Sequence, residues 1–414
     1  MLFFCAVGMT MIIYSPYILS NAQIGLLSCA VFDIQLKPFK IRLHPKLVEN
    51  WFAFWKTPVF WAPSVLFIMV LVGALYSTDI FYGFERFVLK LPFFGLLFAF
   101  FCLPRLSRKA YMGLFYFLTI LLFLTNLGIG ANYLLHYEEI NKGLEMGQHI
   151  PTPRNHVRYS LLLGLGILSG FMLVYKNFYF RWKAERWMIA AFTTFNFIFI
   201  HILSVRSGLA VMYCSLLCWA VLMMLTQKKY LFGLLTIAAV ITAPALAYQV
   251  VPSFQTKISY AQWEWHEFRH GRNIAGSDQG RLHSLDVGYQ VFREHPLIGV
   301  GVGDLKKEIY KKYDSTYPDI KKIMPHNQLL SVAAGSGIIG LLFFLAAFFY
   351  PFLARRHYRN PFFVFLLLTF FLSFMVENTL ENSIGIGFFC LFLGMGLSYL
   401  TGPDSEQNQG LFDV

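Results

Sequence analysis

Apolar residues recur along the chain in long runs separated by short polar connections. The runs are roughly 17–24 residues long, and about 20 apolar residues are enough for a helix to cross a bilayer. We find no internal repeat and no heptad pattern. The pattern therefore predicts an all-α polytopic membrane protein. Twelve transmembrane helices are predicted, at residues 2–19, 21–36, 58–77, 84–103, 111–131, 157–175, 187–204, 207–226, 229–250, 329–354, 361–378 and 382–401.

Composition agrees with this pattern. Of the 414 residues 57% are hydrophobic and 14% are charged, whereas a soluble domain has about 25% charged residues. These proportions exclude a cytosolic globular enzyme, a disordered tail and a disulfide scaffold. All six cysteines lie within apolar runs, so neither a disulfide framework nor a zinc site is predicted. The first run lacks a basic flank and a cleavage motif, which favours a membrane helix over a signal peptide.

The net charge of +12 raises the question of nucleic-acid binding, but no basic groove with interleaved aromatic residues is present. Instead, 17 of the 34 Lys and Arg residues lie in alternate connections, and three of the short intervening connections have none. Basic connections are typical of the cytoplasmic side of a membrane. This distribution predicts that both termini are cytoplasmic.

The same orientation predicts four parts of the chain. Residues 1–250 carry nine transmembrane helices, residues 251–328 form an extracytoplasmic loop, residues 329–401 carry three more helices, and residues 402–414 are a cytoplasmic tail. A loop of this length is usually functional or disordered. It is rich in aromatic residues and poor in Ser and Pro, so we expect short helices that lie against the membrane.

Two features of this loop leave alternatives open. Residues 253–270 alternate aromatic and charged side chains around Trp263 and Trp265, which indicates either an interfacial helix near a lipid-linked substrate or a packing surface. The glycines of residues 299–303 resemble a phosphate loop, but no Lys-Ser/Thr follows them. They favour a tight turn after a helix that begins near Gly280.

Several polar residues lie where the extracytoplasmic segments meet predicted spans. His326 is the candidate general base, because an unperturbed histidine has a pKa of about 6.5. Asn327 beside it is a candidate to orient a substrate or the ring. Arg206, at the junction of spans seven and eight, is a candidate for phosphate binding, with snorkelling to headgroups as the alternative.

Further candidates flank other spans on the same face. Arg158 and His156 open span six, and Arg86 begins span four. Glu377 and Glu381 lie four residues apart after span eleven, either as metal or acid–base groups or, as we favour, as partners of the arginines. No D-x-D motif or His/Asp cluster supports a metal site, so none is predicted. Together these groups favour a substrate with an anionic head and a lipid tail.

The residues resemble the O-antigen ligase family. The similarity is carried by the large loop that ends in Pro-His-Asn at residues 325–327, by Ser-x-Arg-Ser-Gly around Arg206, by Arg281 at the start of the loop helix, and by His-Pro-Leu-x-Gly-x-Gly at residues 295–301. The segment 377–381 followed by an apolar span is also similar. The resemblance covers the whole twelve-span plan.

The resemblance implies a GT-C type glycosyltransferase of the bacterial inner membrane. Such ligases transfer polysaccharide from undecaprenyl pyrophosphate to a lipid A–core sugar at the periplasmic face, with inversion and without a metal or other cofactor. By position, His326 is the implied base, and Arg206 and Arg281 are the implied pyrophosphate ligands. The alternatives are an O-antigen polymerase or a protein O-oligosaccharyltransferase with the same donor, and a lipid-linked oligosaccharide transporter.

Overall fold

Helices make up almost all of the structure, a computed structural model that describes residues 1–36, 39–270 and 277–402. The first elements are α1 (Leu2–Tyr14), α2 (Pro16–Val31), β1 (Phe32–Leu36), β2 (Phe39–Leu43), α3 (Leu47–Trp55), α4 (Pro58–Trp61), α5 (Val65–Leu75), α6 (Ile80–Lys90) and α7 (Pro92–Cys102). The next helices are α8 (Arg108–Leu135), α9 (Tyr137–Glu145), α10 (His156–Tyr175), α11 (Glu185–Leu203), α12 (Arg206–Gln227), α13 (Tyr230–Val250) and α14 (Pro252–Arg269). The last are α15 (Ser277–Glu294), α16 (Leu305–Thr316), α17 (Gln328–Leu353), α18 (Pro361–Val376) and α19 (Ser383–Leu400). Nearly all of the predicted tail 402–414 lies outside the described residues.

Among the described residues, eight helices are long and apolar enough to cross a membrane, and they coincide with eight of the twelve predicted spans. They are Pro58–Leu75, which joins α4 and α5, then α8, α10, α11, α12, α13, Gln328–Arg359, which begins with α17, and α19. The helices α1 and α18 are apolar but shorter. The prediction of a polytopic helical membrane protein is confirmed.

Three of the other predicted spans have the wrong boundaries. The run 2–19 is interrupted at Ser15, whose hydroxyl accepts a hydrogen bond from the Ile18 N–H and so begins α2. The run 84–103 is interrupted between α6 and α7, at Pro92. The second helix of each run begins with a proline, Pro16 in α2 and Pro92 in α7. Proline has no N–H to continue a helix but suits the first turn of a new one, so each run forms two helices. The run 21–36 ends as a helix at Val31.

A short β-hairpin replaces part of the predicted helix and connection around residue 37. The strands β1 and β2 are antiparallel, with Phe32 opposite Leu43 and Asp33 opposite Arg42. Apolar and polar residues alternate in both strands, which is the period of a strand rather than a helix. Averaging hydrophobicity over a long window hides such a short alternation. The all-α assignment is therefore corrected by one hairpin within the described residues.

The described chain forms two compact units. The first contains residues 1–111, 280–363 and 374–402, and the second contains residues 112–279 and 364–373. In the second unit, buried polar side chains join three helices. Asn126 of α8 donates to Asn196 of α11 at 2.9 Å and accepts from the Tyr159 hydroxyl of α10 at 2.5 Å. Such bonds between membrane helices hold them together where apolar packing alone is weak.

In the first unit, α17 is interrupted at Gly337, whose φ of 66° and ψ of −171° are accessible essentially to glycine alone. The loop before α16 supplies partners for the interrupted backbone. The N–H groups of Val300 and Gly301 donate to the carbonyls of Ala334 and Gly335, at 3.1 and 3.0 Å. The loop and the interrupted helix therefore depend on each other.

The glycines of this loop allow the close approach. Gly299 and Gly301 both have positive φ, and a Cβ on Gly299 would lie 2.4 Å from the backbone carbon of Gly335. A Cβ on Gly301 would lie 2.5 Å from the Ser77 hydroxyl. The predicted tight turn is confirmed, and the glycines serve packing.

Candidate functional site

His326 lies in a short segment that is fixed at the start of α17. The Asn327 side chain caps this helix by accepting from the Leu330 N–H at 2.9 Å, and its amide donates to the Met375 carbonyl at 3.2 Å. The Ser331 hydroxyl donates to the Pro325 carbonyl at 3.2 Å. Asn327 therefore fixes the backbone beside His326, and its role in orienting a substrate or the ring stays a prediction.

Ser284, on α15, joins two of the predicted catalytic residues. Its fully buried hydroxyl accepts from the His326 N–H at 3.1 Å and donates to the Arg281 carbonyl at 2.7 Å. Gly288, one turn later, leaves room for Pro325, since a Cβ there would lie 2.7 Å from the proline ring. The histidine segment is thus held against α15. The helix begins at Ser277 rather than near Gly280, so Arg281 lies in its second turn.

Glu377 brings the charged groups of this site together. One carboxylate oxygen, Oε1, lies 3.5 Å from His326 Nδ1 and 3.9 Å from the Arg281 guanidinium. The side chains of His326 and Arg281 remain 25% and 34% exposed, while that of Glu377 is 15% exposed. The histidine and the arginine are therefore accessible to a substrate, and the carboxylate lies behind them.

The position of Glu377 gives the two imidazole nitrogens different surroundings. A carboxylate next to Nδ1 favours the tautomer with its proton on that nitrogen, which leaves a lone pair on Nε2. The 3.5 Å separation is slightly longer than a hydrogen bond. Catalytic hydrogen bonds are often long without substrate and shorten when it binds. The arrangement suits a histidine that accepts a proton through Nε2.

Glu381 lies in a second, more buried cluster. Its carboxylate is 2.8 Å from the ammonium of Lys90 and 2.9 Å from the side-chain amide of Gln328, which donates to it. Its backbone carbonyl accepts from Arg86 at 3.3 Å. Burial opposes ionisation of Glu381, but Lys90, Gln328 and Arg86 outweigh it and hold the pKa of the carboxyl below its usual value. Both glutamates lie beside cations, but among the described residues an ion pair with an arginine is present only for Glu377, and Glu381 pairs mainly with a lysine.

Lys90 was missed by the sequence analysis. Its side chain is 6% exposed, and its ammonium also donates to the Leu380 carbonyl. The residue was counted within a predicted span, although a lysine inside an apolar run is itself a signal for a functional or paired site.

A cavity of about 150 Å³ adjoins this cluster in the first unit. Its polar lining includes Arg86, Lys90, Gln328 and Glu381, and its apolar lining includes Met324. Arg86 lies over the Tyr82 ring at 4.9 Å, and its buried Nε has no hydrogen-bond partner. A polar group of a ligand in this cavity would meet one unused donor.

The remaining predicted residues belong to the second unit. Arg206 is the first residue of α12 and is exposed, after a left-handed turn at Ser204. His156 begins α10 and stacks on His149 with ring centroids 3.7 Å apart. The backbone N–H of Arg158 donates to Asn155, which caps the helix. Their roles in a shared site stay predictions.

Two helices of the large loop meet their surroundings in different ways. In α14, Trp263 and Trp265 are about half exposed whereas Glu264 is buried, an arrangement that favours contact with a membrane surface over a packing surface. In α16, Lys312 pairs with Glu294 and Lys311 with Glu308. Lysines paired in this way are typical of an ordinary solvated helix face.

The fold and the site first define a class: a polytopic helical membrane protein that holds a histidine, an arginine and a carboxylate together where a loop meets a membrane helix. Residues 189–345 match the family model described as O-Antigen ligase. The resemblance to the O-antigen ligase family is thus confirmed over this segment, which supports the O-antigen ligase/polymerase superfamily. Its members are glycosyltransferase-like, which supports an enzymatic role. The comparison with curated proteins finds no match.

The matched segment contains four of the predicted site residues, Arg206, Arg281, His326 and Asn327. Arg86, Glu377 and Glu381 lie outside it, and so do His156 and Arg158. The geometry of Glu377 therefore adds information that the family match does not carry.

Proposed function

We propose that this protein is an O-antigen ligase of GT-C type. It transfers polysaccharide from undecaprenyl pyrophosphate to a lipid A–core sugar hydroxyl at the periplasmic face of the bacterial inner membrane. The family match over residues 189–345 supports the class of reaction. In the proposed topology twelve segments cross the membrane, residues 251–328 are periplasmic, and both termini are cytoplasmic.

The observation that carries this proposal is the position of Glu377 beside both His326 and Arg281. His326 Nε2 takes the proton of the acceptor hydroxyl as its oxygen attacks the anomeric carbon of the donor. The new glycosidic bond forms as the bond from that carbon to the pyrophosphate oxygen breaks, with inversion. Glu377 stabilises the imidazolium that results, as a buried carboxylate does in a catalytic triad.

The cations act on the leaving group. Arg281 and Arg206 bind the pyrophosphate and stabilise the charge that develops on it, since a guanidinium matches phosphate oxygens in a bidentate way. Arg86 and Arg158, with His156, contribute further contacts to the phosphates or the first sugars. Glu381 acts indirectly, because it is held by Lys90 and fixes Gln328 at the start of α17. No metal takes part in the proposed reaction.

An O-antigen polymerase is the second candidate, because the matched superfamily includes polymerases as well as ligases. The two enzymes share the donor and differ in the acceptor. A protein O-oligosaccharyltransferase differs in the same respect. The acceptor is therefore the property to be measured.

The test is reconstitution of the purified protein with undecaprenyl-pyrophosphate glycan and one acceptor at a time: lipid A–core, a second lipid-linked glycan, or a peptide. We expect glycan on lipid A–core, visible as a mobility shift in gels. His326→Ala removes the base and should lower the rate at least about a hundredfold, while His295→Ala, at an exposed histidine on the same loop, serves as the control. Transfer only to a second glycan would make the protein a polymerase, and full activity of His326→Ala would overturn the assignment of the base.

A further inference from the structure

A second cavity, of about 540 Å³, lies in the second unit and takes no part in the proposed reaction. It is bounded by α10, α12 and α13, with one residue from α11. The lining is mostly aromatic and aliphatic, and Phe171, Leu216, Trp219, Phe232 and Leu235 are among its residues. A cavity of this size fits the range of pockets that bind small molecules.

The hydroxyl groups of the wall are already engaged. The Tyr213 hydroxyl bonds to His201, the Thr236 hydroxyl donates to the Phe232 carbonyl at 2.9 Å, and the Tyr175 hydroxyl accepts from Lys229 at 2.7 Å. A sugar in this cavity would lose its hydrogen bonds to water without replacing them, which is costly. The cavity therefore selects an apolar ligand.

One end of the cavity is positively charged. Lys228 and Lys229 form the turn between α12 and α13, and Lys176 ends α10 beside the lining residue Tyr175. The Lys229 ammonium lies 5.1 Å from the centre of the Tyr175 ring, at the mouth of the apolar lining. In the described part of the chain, neither Lys228 nor Lys229 forms an ion pair with a carboxylate. The anionic headgroup of a ligand would pair with the two lysines at this end of the cavity.

Trp219 supplies a second indication of a ligand. The side chain lines the cavity and is 6% exposed, yet its indole N–H has no hydrogen-bond partner. A buried donor without a partner is costly, so a ligand acceptor beside it would be favourable. The ester carbonyl of a phospholipid is such an acceptor, and a polyprenyl chain has none.

We propose that this cavity binds an anionic phospholipid of the cytoplasmic leaflet. One acyl chain fills the space between α10, α12 and α13, the phosphate lies at Lys228 and Lys229, and an ester carbonyl accepts from Trp219. The position of α13 agrees with a lipid-facing site, since only 17% of its span is buried in the protein, the least of the eight candidate spans. The cytoplasmic assignment rests on the basic connections at residues 176–186 and 227–229.

The test uses the full-length protein in phosphatidylcholine vesicles that contain a trace of photoreactive lipid, with a diazirine on one acyl chain. Two probes are compared, phosphatidylglycerol and phosphatidylcholine, and the labelled peptides are mapped by mass spectrometry. We expect the phosphatidylglycerol probe to label α10, α12 and α13 about fivefold more than the phosphatidylcholine probe, as one lysine contact to an anionic headgroup would give.

Matched variants test whether the labelling depends on the cavity or on the surrounding helix surface. Ala239→Trp fills the cavity and should abolish most of the labelling, while Ala238→Trp, at the adjacent exposed alanine that does not line it, should leave the labelling unchanged. Lys229→Gln should reduce phosphatidylglycerol to the level of phosphatidylcholine, and Lys183→Gln removes the same charge elsewhere as a control. The proposal would be overturned if the two tryptophan variants were labelled equally, or if the two probes labelled the protein equally. It would also be overturned if added undecaprenyl phosphate displaced the phosphatidylglycerol probe more strongly than added phosphatidylglycerol does.

Discussion

Ser284 makes a hydrogen bond to each of two segments that carry proposed catalytic residues, so we expect a positioning role for it. Ser284→Ala removes the acceptor of the His326 N–H while it leaves the base and the arginine in place. Because displacement of a catalytic group by about 1 Å can cost a hundredfold in rate, we expect kcat to fall about 10- to 100-fold with little change in KM. Steady-state kinetics of the reconstituted transfer measure this.

Ser315→Ala is the matched control for this experiment. Ser315 also donates to a carbonyl three residues earlier on its own helix, at 3.0 Å, but it is exposed and lies on α16. This variant should keep the wild-type kcat. A Ser284→Ala enzyme with unchanged kcat, or one whose loss is explained entirely by a lower melting temperature, would contradict the positioning role.

Lys90 provides a prediction about stability and pH. Lys90→Met leaves the partly buried Glu381 carboxylate, which is 27% exposed, without its main partner, which should cost up to about 3 kcal/mol at neutral pH. In the wild type the pKa of Glu381 is lowered, so the contribution of the pair is present above the ordinary pKa of a glutamate and is lost as the pH falls through the lowered value. In the variant the main cause that lowers the pKa of Glu381 is gone while burial still opposes ionisation, so we expect this pKa to rise and protonation to relieve the unpaired charge. The destabilisation should therefore shrink between pH 7.5 and pH 5.

Thermal melts of the detergent-solubilised protein at several pH values measure this difference. The double variant Lys90→Met/Glu381→Gln has no unpaired charge and should recover most of the stability at neutral pH. If the single and double variants melt at the same temperature, Glu381 does not depend on Lys90.

At the residue scale, the charged groups of the candidate site were predictable from the sequence, but the serine that fixes their segments in place was not. His326 and Glu377 each lie next to the end of an apolar run, where charge is costly, and therefore they stood out. Arg281 lies within the loop and stood out only through the family resemblance. Ser284 did not, because a serine within a helix has no distinguishing pattern and its partners lie 3 and 42 residues away.

At the element scale, the interruption of α17 gives a further prediction. A Cβ on Gly337 would lie 2.1 Å from the Leu297 carbonyl oxygen, and the residue also has positive φ. Gly337→Ala should therefore destabilise the protein by at least about 2 kcal/mol through strain alone. It should also displace residues 296–301 and reduce activity. Melting temperature and transfer rate are the two measurements.

Gly128→Ala is the corresponding control within a membrane helix. Gly128 lies in α8, and a Cβ there meets no other atom within 4 Å. Alanine is the better helix former by about 1 kcal/mol, so this variant should be neutral or slightly stabilised. A Gly337→Ala protein that melts like the wild type would show that the backbone pairing in this region is not needed.

The elements were predictable wherever one apolar run corresponds to one helix, as in α10 to α13. They were not predictable where a run of constant hydrophobicity contains a break. The runs 2–19 and 84–103 look continuous because hydrophobicity does not report the missing N–H of Pro16 or Pro92. The pairing of residues 296–301 with α17 joins distant backbone groups, which no local pattern records.

At the scale of the whole molecule, contacts within the first unit agree with the predicted topology. In the first unit Asp304 accepts from the N–H of Thr78 at 2.6 Å, which joins two segments predicted to be extracytoplasmic. The Leu106 N–H donates to Ser398 at 3.2 Å, which joins a connection predicted to be cytoplasmic to the last predicted span, near its cytoplasmic end. Contacts of this kind indicate which segments lie on the same side of the membrane. The distribution of basic residues predicts whether that side is the cytoplasmic one.

The absolute orientation can be measured by labelling of single cysteines. Ser315→Cys lies in the segment 251–328 and should react with a membrane-impermeant maleimide in cells with a permeabilised outer membrane. Lys183→Cys lies in a basic connection and should react only after the inner membrane is opened, because positively charged connections stay in the cytoplasm. Both positions are exposed, so burial does not explain a difference between them. Cys214, which is exposed, is replaced by Ala in the parent to reduce background.

The labelling result bears on the site as well as on the topology. His326 and Ser315 both belong to the segment 251–328, while a lipid-linked polysaccharide and its lipid A–core acceptor meet outside the cytoplasm. If Ser315→Cys reacts in cells with an intact inner membrane and Lys183→Cys does not, the proposed base faces the compartment that the reaction requires. The opposite pattern would place His326 in the cytoplasm, where a ligase has no acceptor, and would exclude the proposed function even if the chemistry of the site were right.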